Sequence, residues 1–233
     1  MDVLTDDHER EQVVRKWWHE NWLSLTVGIV IAIALMIGYK QYQVYKNDKA
    51  AANAYEMSQI QTALVLKPTE SIEKAQAFIK EHEDIYGSLL SLDLASTYIA
   101  QKDYDKALDS ANFASKNGGK LVAPNASLMA AHILTEQKKY DEAIKIVNGI
   151  ESKAYEVEKQ ELLGDIYVAK NDLDKAHDAY AKALDACEAQ KIAINSLLQM
   201  KADSLIKDGD KTAFSRAQKL QEQINASATQ VKK

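Results

Sequence analysis

The stretch Leu163-Gly164-Asp165-Ile166-Tyr167 sets a glycine and a tyrosine three residues apart in an apolar run, the spacing of one helical face. Nine residues after Tyr167 comes Ala176, then Tyr180 and Ala183, with a polar, turn-forming Asn171-Asp172 between the two runs. Upstream, Leu94-Ala95 and Tyr98 lead through a Lys102-Asp103 turn to Ala107, Ala111 and Ala114 at the same offsets. Ala130-Ala131, Leu134, a Lys138-Lys139 turn and Ala143 repeat the plan once more. The lead alanines Ala107, Ala143 and Ala176 fall 36 and 33 residues apart, and Ala75 extends the series back by 32.

A period of this length, with Leu-Gly-x-x-Tyr opening the unit, is similar to a tetratricopeptide repeat. Each unit is then two antiparallel helices, and the small residue after the turn lets the second pass close to the first. Tyr98 and Tyr167 are expected to fill the gap between neighbouring pairs. No single pair buries its apolar face, so pairs must stack. An ordinary alanine-rich bundle has no reason to keep so many positions in register around Tyr167. After Ala193 the pattern decays. Leu197, Leu198, Ala202, Leu205 and a Lys207-Asp208-Gly209-Asp210 turn read as an atypical capping pair, and the chain beyond Ile224 as a frayed tail. Only 8 Gly and 2 Pro occur in 233 residues, far below an average combined usage of about 12%. The fold class is all-α.

The other strong signal lies near the N-terminus. No charge occurs from Asn21 to Tyr39, 19 positions rich in Leu, Ile, Val and Ala. As a helix this run is roughly 28 Å long, the thickness of a bilayer's hydrocarbon core. Trp17, Trp18 and Trp22 stand at one end and Tyr39, Tyr42 and Tyr45 at the other, as interfacial aromatic belts do. A cleaved signal peptide fits poorly, because the run is too long and Ile37 to Tyr42 offers no small-x-small site. A buried core helix would need an equally apolar partner segment. The reading is a single transmembrane helix followed by an α-solenoid.

The expected divisions are a cytoplasmic tail at 1–20, the membrane helix at 21–39 and a helical stalk with the start of the soluble domain at 40–66. The repeat domain follows at 67–225, and a flexible tail at 226–233. No helix breaker separates Gly38 from Pro68, so the membrane helix is expected to run on toward Leu66. Charge leaves orientation open: Arg10, Arg15 and Lys16 precede the span, and Lys40, Lys46 and Lys49 follow it. Length asymmetry favours a short tail that stays inside and a large domain that crosses.

Signals for chemistry are few. His8, His19, His82, His132 and His177 lie apart without metal-ligand spacing, and no catalytic residue, cofactor or metal site is expected. The only Gly-Gly, Gly118-Gly119, reads as a helix cap rather than a phosphate loop. The lone Cys187 reads as a small buried apolar residue and permits no internal disulfide. A net charge of −5 and a pI of about 5.6 argue against a nucleic-acid partner.

Glu11-Gln12-Val13, Lys16-Trp17-Trp18 and Glu20-Asn21-Trp22 stand directly before the span. With the tyrosine-rich exit, the repeats, the acidic Asp6–Glu11 lead-in and the Phe78-Ile79-Lys80-Glu81-His82 helix end, the whole chain resembles the YfgM family. The resemblance implies an inner-membrane protein of Gram-negative bacteria, ancillary to the Sec translocon, with its soluble domain in the periplasm. It also implies a part in handing exported proteins to chaperones, in company with a membrane-anchored prolyl-isomerase-like chaperone. The family has no catalytic motif to carry over.

Two candidate surfaces follow from the residues. In stacked repeats the first helix of each pair lines the concave groove. Counted from the tyrosine positions, that face carries Leu92, Ser96 and Ile99, then Asn125, Leu128, His132 and Thr135, then Glu158, Glu161, Asp165 and Val168. It is expected to run from an apolar to an acidic end, suited to a basic or amphipathic segment and unsuited to a C-terminal carboxylate. An empty groove, or one filled by a helix of the same chain, is the plain alternative. In the span, Ser24, Gly28 and Ala32 recur every four residues as a smooth stripe for a partner helix, although small residues are frequent in such spans anyway.

Overall fold

The computed structural model describes residues 3–207 and 209–231, with side chains from 11 to 207 and from 209 to 227. Among these, every regular element is helical. Met1, Asp2, Asp208 of the 207–210 turn and the last two residues of the expected tail lie outside the described residues, as do the side chains of His8 and most of the acidic lead-in.

The chain divides into two compact units, Met1–Glu56 and Met57–Lys233. Helix α1 (Val3–Leu66) is unbroken and makes up the described part of the first unit. Within it lies the one helix segment, among the described residues, long and apolar enough to cross a membrane. Its apolar surface is entirely unburied by the chain itself, which in water would be untenable and in lipid is the favourable state. Polar side chains near its start bond inward: Asn21 donates to the Trp17 carbonyl at 2.9 Å and Thr26 to that of Trp22 at 2.7 Å.

The second unit begins inside α1. Ile60 and Leu64 are buried, so the last turns of α1 act as the first core helix. Then come α2 (Pro68–Glu81), α3 (Ile85–Ala100), α4 (Tyr104–Asn117), α5 (Gly119–Glu136), α6 (Tyr140–Asn148), α7 (Glu156–Ala169), α8 (Leu173–Gln190), α9 (Ser196–Asp203) and α10 (Ala213–Val231). A single 3-10 turn at Lys153–Tyr155 precedes α7. The end of α1 shares the first core cluster with α2, and then α3 with α4, α5 with α6, α7 with α8 and α9 with α10 form successive pairs.

The repeat is visible in the turns. Lys102, Lys138 and Asn171 each adopt a left-handed backbone with φ near 61°, 61° and 62°. In each turn the following amide reaches back five residues: Asp103 N–H to Tyr98 O, Lys139 to Leu134 and Asp172 to Tyr167, at 2.8–2.9 Å. That closes the first helix of the pair. Asp103 and Asp172 then cap the second helix by accepting from the amides of Lys106 and Lys175, and each pairs with the same lysine's ammonium at 2.7 Å. Each lysine also lies over the preceding tyrosine ring, Lys106 over Tyr98 at 5.5 Å and Lys175 over Tyr167 at 5.6 Å. The side-chain bonds from Lys106 and Lys175 hold the Asp103 and Asp172 carboxyls below the ordinary aspartate range. Gly118 caps α4, its N–H donating to Ala114 O at 2.9 Å.

Packing follows the small residues. Ala75, Ala107, Ala143 and Ala176 are fully buried, one each in α2, α4, α6 and α8. The core is three linked clusters. The first joins α1 to α5, the next α5 to α8, and the last α7 to α10. Tyr98 lies inside the first cluster, and Tyr167 packs against both the second and the third. Cys187 is buried, and its thiol is pushed up chiefly by that burial, away from the reactive thiolate.

Gly164 makes a tight contact between the two helices of its pair. A Cβ there would land in the Tyr180 ring, 2.5 Å from Cδ1. Alanine is preferred over glycine in a helix by about 1 kcal/mol, but overpacking of this kind costs about 1–3 kcal/mol. Gly164→Ala is therefore expected to destabilise the protein, with a lower urea midpoint by circular dichroism. Gly149→Ala, where the nearest atom to a new Cβ is 3.3 Å away, should change the midpoint far less.

Candidate partner-binding surface

The first helices α3, α5 and α7 adjoin one another, and α9 follows as the first helix of the last pair. On α3, Leu92 and Ile99 are half-buried, Ile99 against the first core cluster. Ser96 is exposed and donates to the Leu92 carbonyl at 3.0 Å. On α5, Asn125 and His132 are exposed, and the half-buried Thr135 donates to Ala131 O at 2.7 Å. On α7, Glu158 and Val168 are exposed, while Glu161 and Asp165 are half-buried.

Two expectations need correction. Leu128 is buried in the second core cluster with Leu162 and Leu163, so it holds α5 to α7 and cannot line a free surface. Glu161 and Asp165 do not form an open acidic end either. Lys201 of α9 reaches across to both, 2.7 Å from Glu161 Oε1 and 2.8 Å from Asp165 Oδ2. Tyr180 of α8 donates its hydroxyl to the other Asp165 oxygen at 2.8 Å. Burial works against the Lys201 charge, but the bonds from Asp165 and Glu161 more than offset it and raise its pKa. The same surroundings raise the pKa of the Tyr180 phenol, first by burial and then by the Asp165 bond.

His132 faces this cluster from α5. Although its residue surface is exposed, desolvation lowers its pKa; Asp165, Glu136 and Glu161 pull it up and Lys201 pushes it down. The polar end of the face is thus a locked network of four side chains from α7, α8 and α9, with His132 of α5 at its edge only by electrostatics.

The other end is more open than the tyrosine count suggested. Ile85 and Leu89, two turns and one turn before Leu92 on the same α3 face, are 39% and 36% exposed. Leu121, one turn before Asn125 on α5, is 75% exposed. These three were missed because the count started at Leu92 on α3 and at Asn125 on α5; continuing the same period toward the N-termini finds them. In the span, the Ser24 hydroxyl bonds inward to Asn21 O at 3.0 Å, and a Cβ on Gly28 would meet no heavy atom within 4 Å. That stripe is bare in the isolated chain.

The sequence from residue 15 to 207 matches the model of the tetratricopeptide repeat-like domain. An ancillary SecYEG translocon subunit of Escherichia coli K12 is 23% identical over 88% of this chain and 99% of its own length. Its counterpart in Aggregatibacter actinomycetemcomitans is 26% identical over 88% and 100%. That of Buchnera aphidicola from Schizaphis graminum is 33% identical over 55% of this chain and 68% of its own. The chain belongs to the YfgM family. A solved structure of MamA, residues 41 to end, from Desulfovibrio magneticus RS-1 has a TM-score of 0.52 and 19% identity over 75% of this chain and 96% of that one. At that identity the likeness concerns the fold alone. The tetratricopeptide repeat-like match takes in the apolar part of α1 and the helices through α9, whereas α10 lies beyond its matched residues.

The network yields a measurable expectation. His132, its pKa lowered, favours its neutral form in the folded state, so its contribution to stability is present above the ordinary histidine value and lost as pH falls below it toward the folded pKa. Lys201→Met removes the cation that lowers His132 and leaves Glu161 and Asp165 to raise it. The His132 titration, followed by NMR of the ring protons, should move upward in that variant, with a lower melting temperature from two half-buried carboxylates left unpaired. An unmoved titration would disconnect His132 from the cluster.

Proposed function

We propose that this protein is a membrane-anchored, non-catalytic adaptor beside the Sec translocon, passing exported proteins to periplasmic chaperones. The observation that carries the reading is similarity, over 88% of the chain, to relatives named as ancillary SecYEG translocon subunits. In this reading the chain sits in the bacterial inner membrane by one span at 21–39, with residues 1–20 in the cytoplasm and the repeat domain in the periplasm. Residues 40–66 lead into the domain at 67–225, and 226–233 form the tail. Its partners are subunits of the Sec translocon, a membrane-anchored prolyl-isomerase-like chaperone, exported clients and membrane lipid, with no nucleic acid.

The face suited to a client or chaperone is the apolar end, Ile85, Leu89, Leu92 and Leu121, where an amphipathic segment buries surface at about 25 cal/mol per Å². Lys201 leaves less acidity at the other end than the bare sequence suggests, so burial rather than charge supplies the affinity. The Ser24, Gly28 and Ala32 stripe is the proposed contact for a helix of the translocon.

A reporter active only outside the cytoplasm, fused after Lys233, should be active, and the same reporter at the N-terminus silent; the reverse pattern overturns the orientation. Crosslinking in native membranes should capture channel subunits and nascent chains. Leu89→Asp with Leu121→Asp, both exposed, should keep the melting temperature and lose most client crosslinks. Gly28→Leu should insert normally and weaken co-purification of the channel. If a different envelope assembly is captured in place of the channel, the protein is a scaffold for that assembly.

A further inference from the structure

Helix α10 lies beyond the matched repeat residues and is seated along one line on the groove formed by α8 and α9. Ala213 and Leu220 are buried, and Ala217 and Ile224 pack beside them against the last core cluster, which includes Leu184, Cys187 and Leu198. Spaced alternately four and three residues apart, these positions form one face of a helix. From the same face Arg216 places Nη2 2.6 Å from Asp185 Oδ1 and Nε 2.7 Å from Glu188 Oε1 of α8.

That seat is only partly filled. A pocket of about 450 Å³ remains between α8 and α10, with Leu184 and Ala202 in its floor. Towards it α10 turns Ser215, Lys219 and Gln223, each four residues from the next and all exposed, so an apolar floor faces a polar line. Charge is left over as well. The residues that α8 and α9 contribute to the pocket include Glu188 and Asp203 but no Lys or Arg. Asp203 accepts from the backbone amides of Ala213 at 2.6 Å and Phe214 at 3.4 Å, and meets no cation among the described residues. Asp185 and Glu188 share a single guanidinium. The groove is thus apolar and acidic, and α10 answers it with one cation and a short apolar row.

We propose that the α8–α9 groove is a docking site for a basic amphipathic helix of a partner protein, with α10 as its displaceable resident. The seated helix itself displays the chemistry accepted: small residues at the places of Ala213 and Ala217, an arginine at that of Arg216, and branched aliphatic side chains at those of Leu220 and Ile224. A helix that brings a second cation to Asp185 and Glu188, and apolar side chains where α10 has Ser215 and Gln223, gains charge pairing and burial that α10 forgoes. Attachment is what α10 has in its favour. Only nine residues, 204–212, join it to α9, so its local concentration at the groove is in the millimolar range. The groove therefore stays closed to weak competitors and opens to a better one. It involves neither the span nor the α3–α5 face, so its failure leaves the translocon role untouched.

The test uses the full-length protein in nanodiscs and a fluorescent peptide of residues 213–231, read by anisotropy. Arg216→Glu in the chain sets a third carboxylate beside Asp185 and Glu188 and unseats the chain's own α10. The native peptide should bind that variant at least about tenfold more tightly than it binds the wild-type chain, because the tethered competitor is gone. Adding Glu188→Arg to the variant re-forms an ion pair at this position and should return the affinity to the wild-type level. A peptide carrying Ser215→Leu and Gln223→Leu reaches into the pocket and should bind the wild-type chain at least about tenfold more tightly than the native peptide does. Equal affinity of the native peptide for the wild-type and Arg216→Glu chains overturns the proposal. So does undiminished binding of a peptide that itself carries Arg216→Glu, or a pocket-directed peptide that gains nothing. A wild-type chain that is dimeric in mild detergent and monomeric with Arg216→Glu gives the groove to α10 of a second copy, and overturns it too.

Discussion

How closely two helices approach within a pair governs the soluble unit, and that approach is set by side chains no larger than a methyl group. The fully buried lead alanines let each second helix settle against its partner. Gly164 goes one step further and gives its place to the Tyr180 ring. The ring's position carries its hydroxyl to Asp165, and Asp165 in turn holds Lys201 of the next pair. A packing constraint between two helices is thereby converted into an electrostatic tie to a third.

Much of this was legible because it is periodic. Lead alanines, tyrosines and polar turns recur at fixed offsets, and a repeat that buries its face only by stacking leaves that recurrence in the sequence. The span was legible for a different reason, since lipid admits no charge over 19 residues. Turn conformation was less so. Lys102 and Lys138 occupy left-handed positions that lysine on its own disfavours by roughly 1–2 kcal/mol, and the closing hydrogen bonds together with the packing of both helices dictate the choice.

The candidate face was read with less success, and the failures have one cause. A helical wheel gives the angle of a side chain but not what stands opposite it. Leu128 shares its angle with exposed neighbours yet meets Leu162 of α7 in the core cluster. Glu161 and Asp165 look like open acids until α9 arrives with Lys201, and α9 lies where the repeat pattern had already decayed. Ile85, Leu89 and Leu121 needed no tertiary knowledge, only the same count carried further toward the helix starts.

The core's division into three clusters has a consequence for cooperativity. The clusters are joined through few shared side chains: Leu108 and Ile146 touch the first two along the chain, and Tyr167 the second and third. A globular domain with one core opens as a whole, but a row of cores coupled only to its neighbours opens from its ends. The α9–α10 end has a neighbour on one side only, and α9 is just eight residues long. Its opening would expose the last cluster while leaving the tyrosine-linked middle intact, so a protease or an unfolding force would meet the protein as a series of separate resistances rather than a single one.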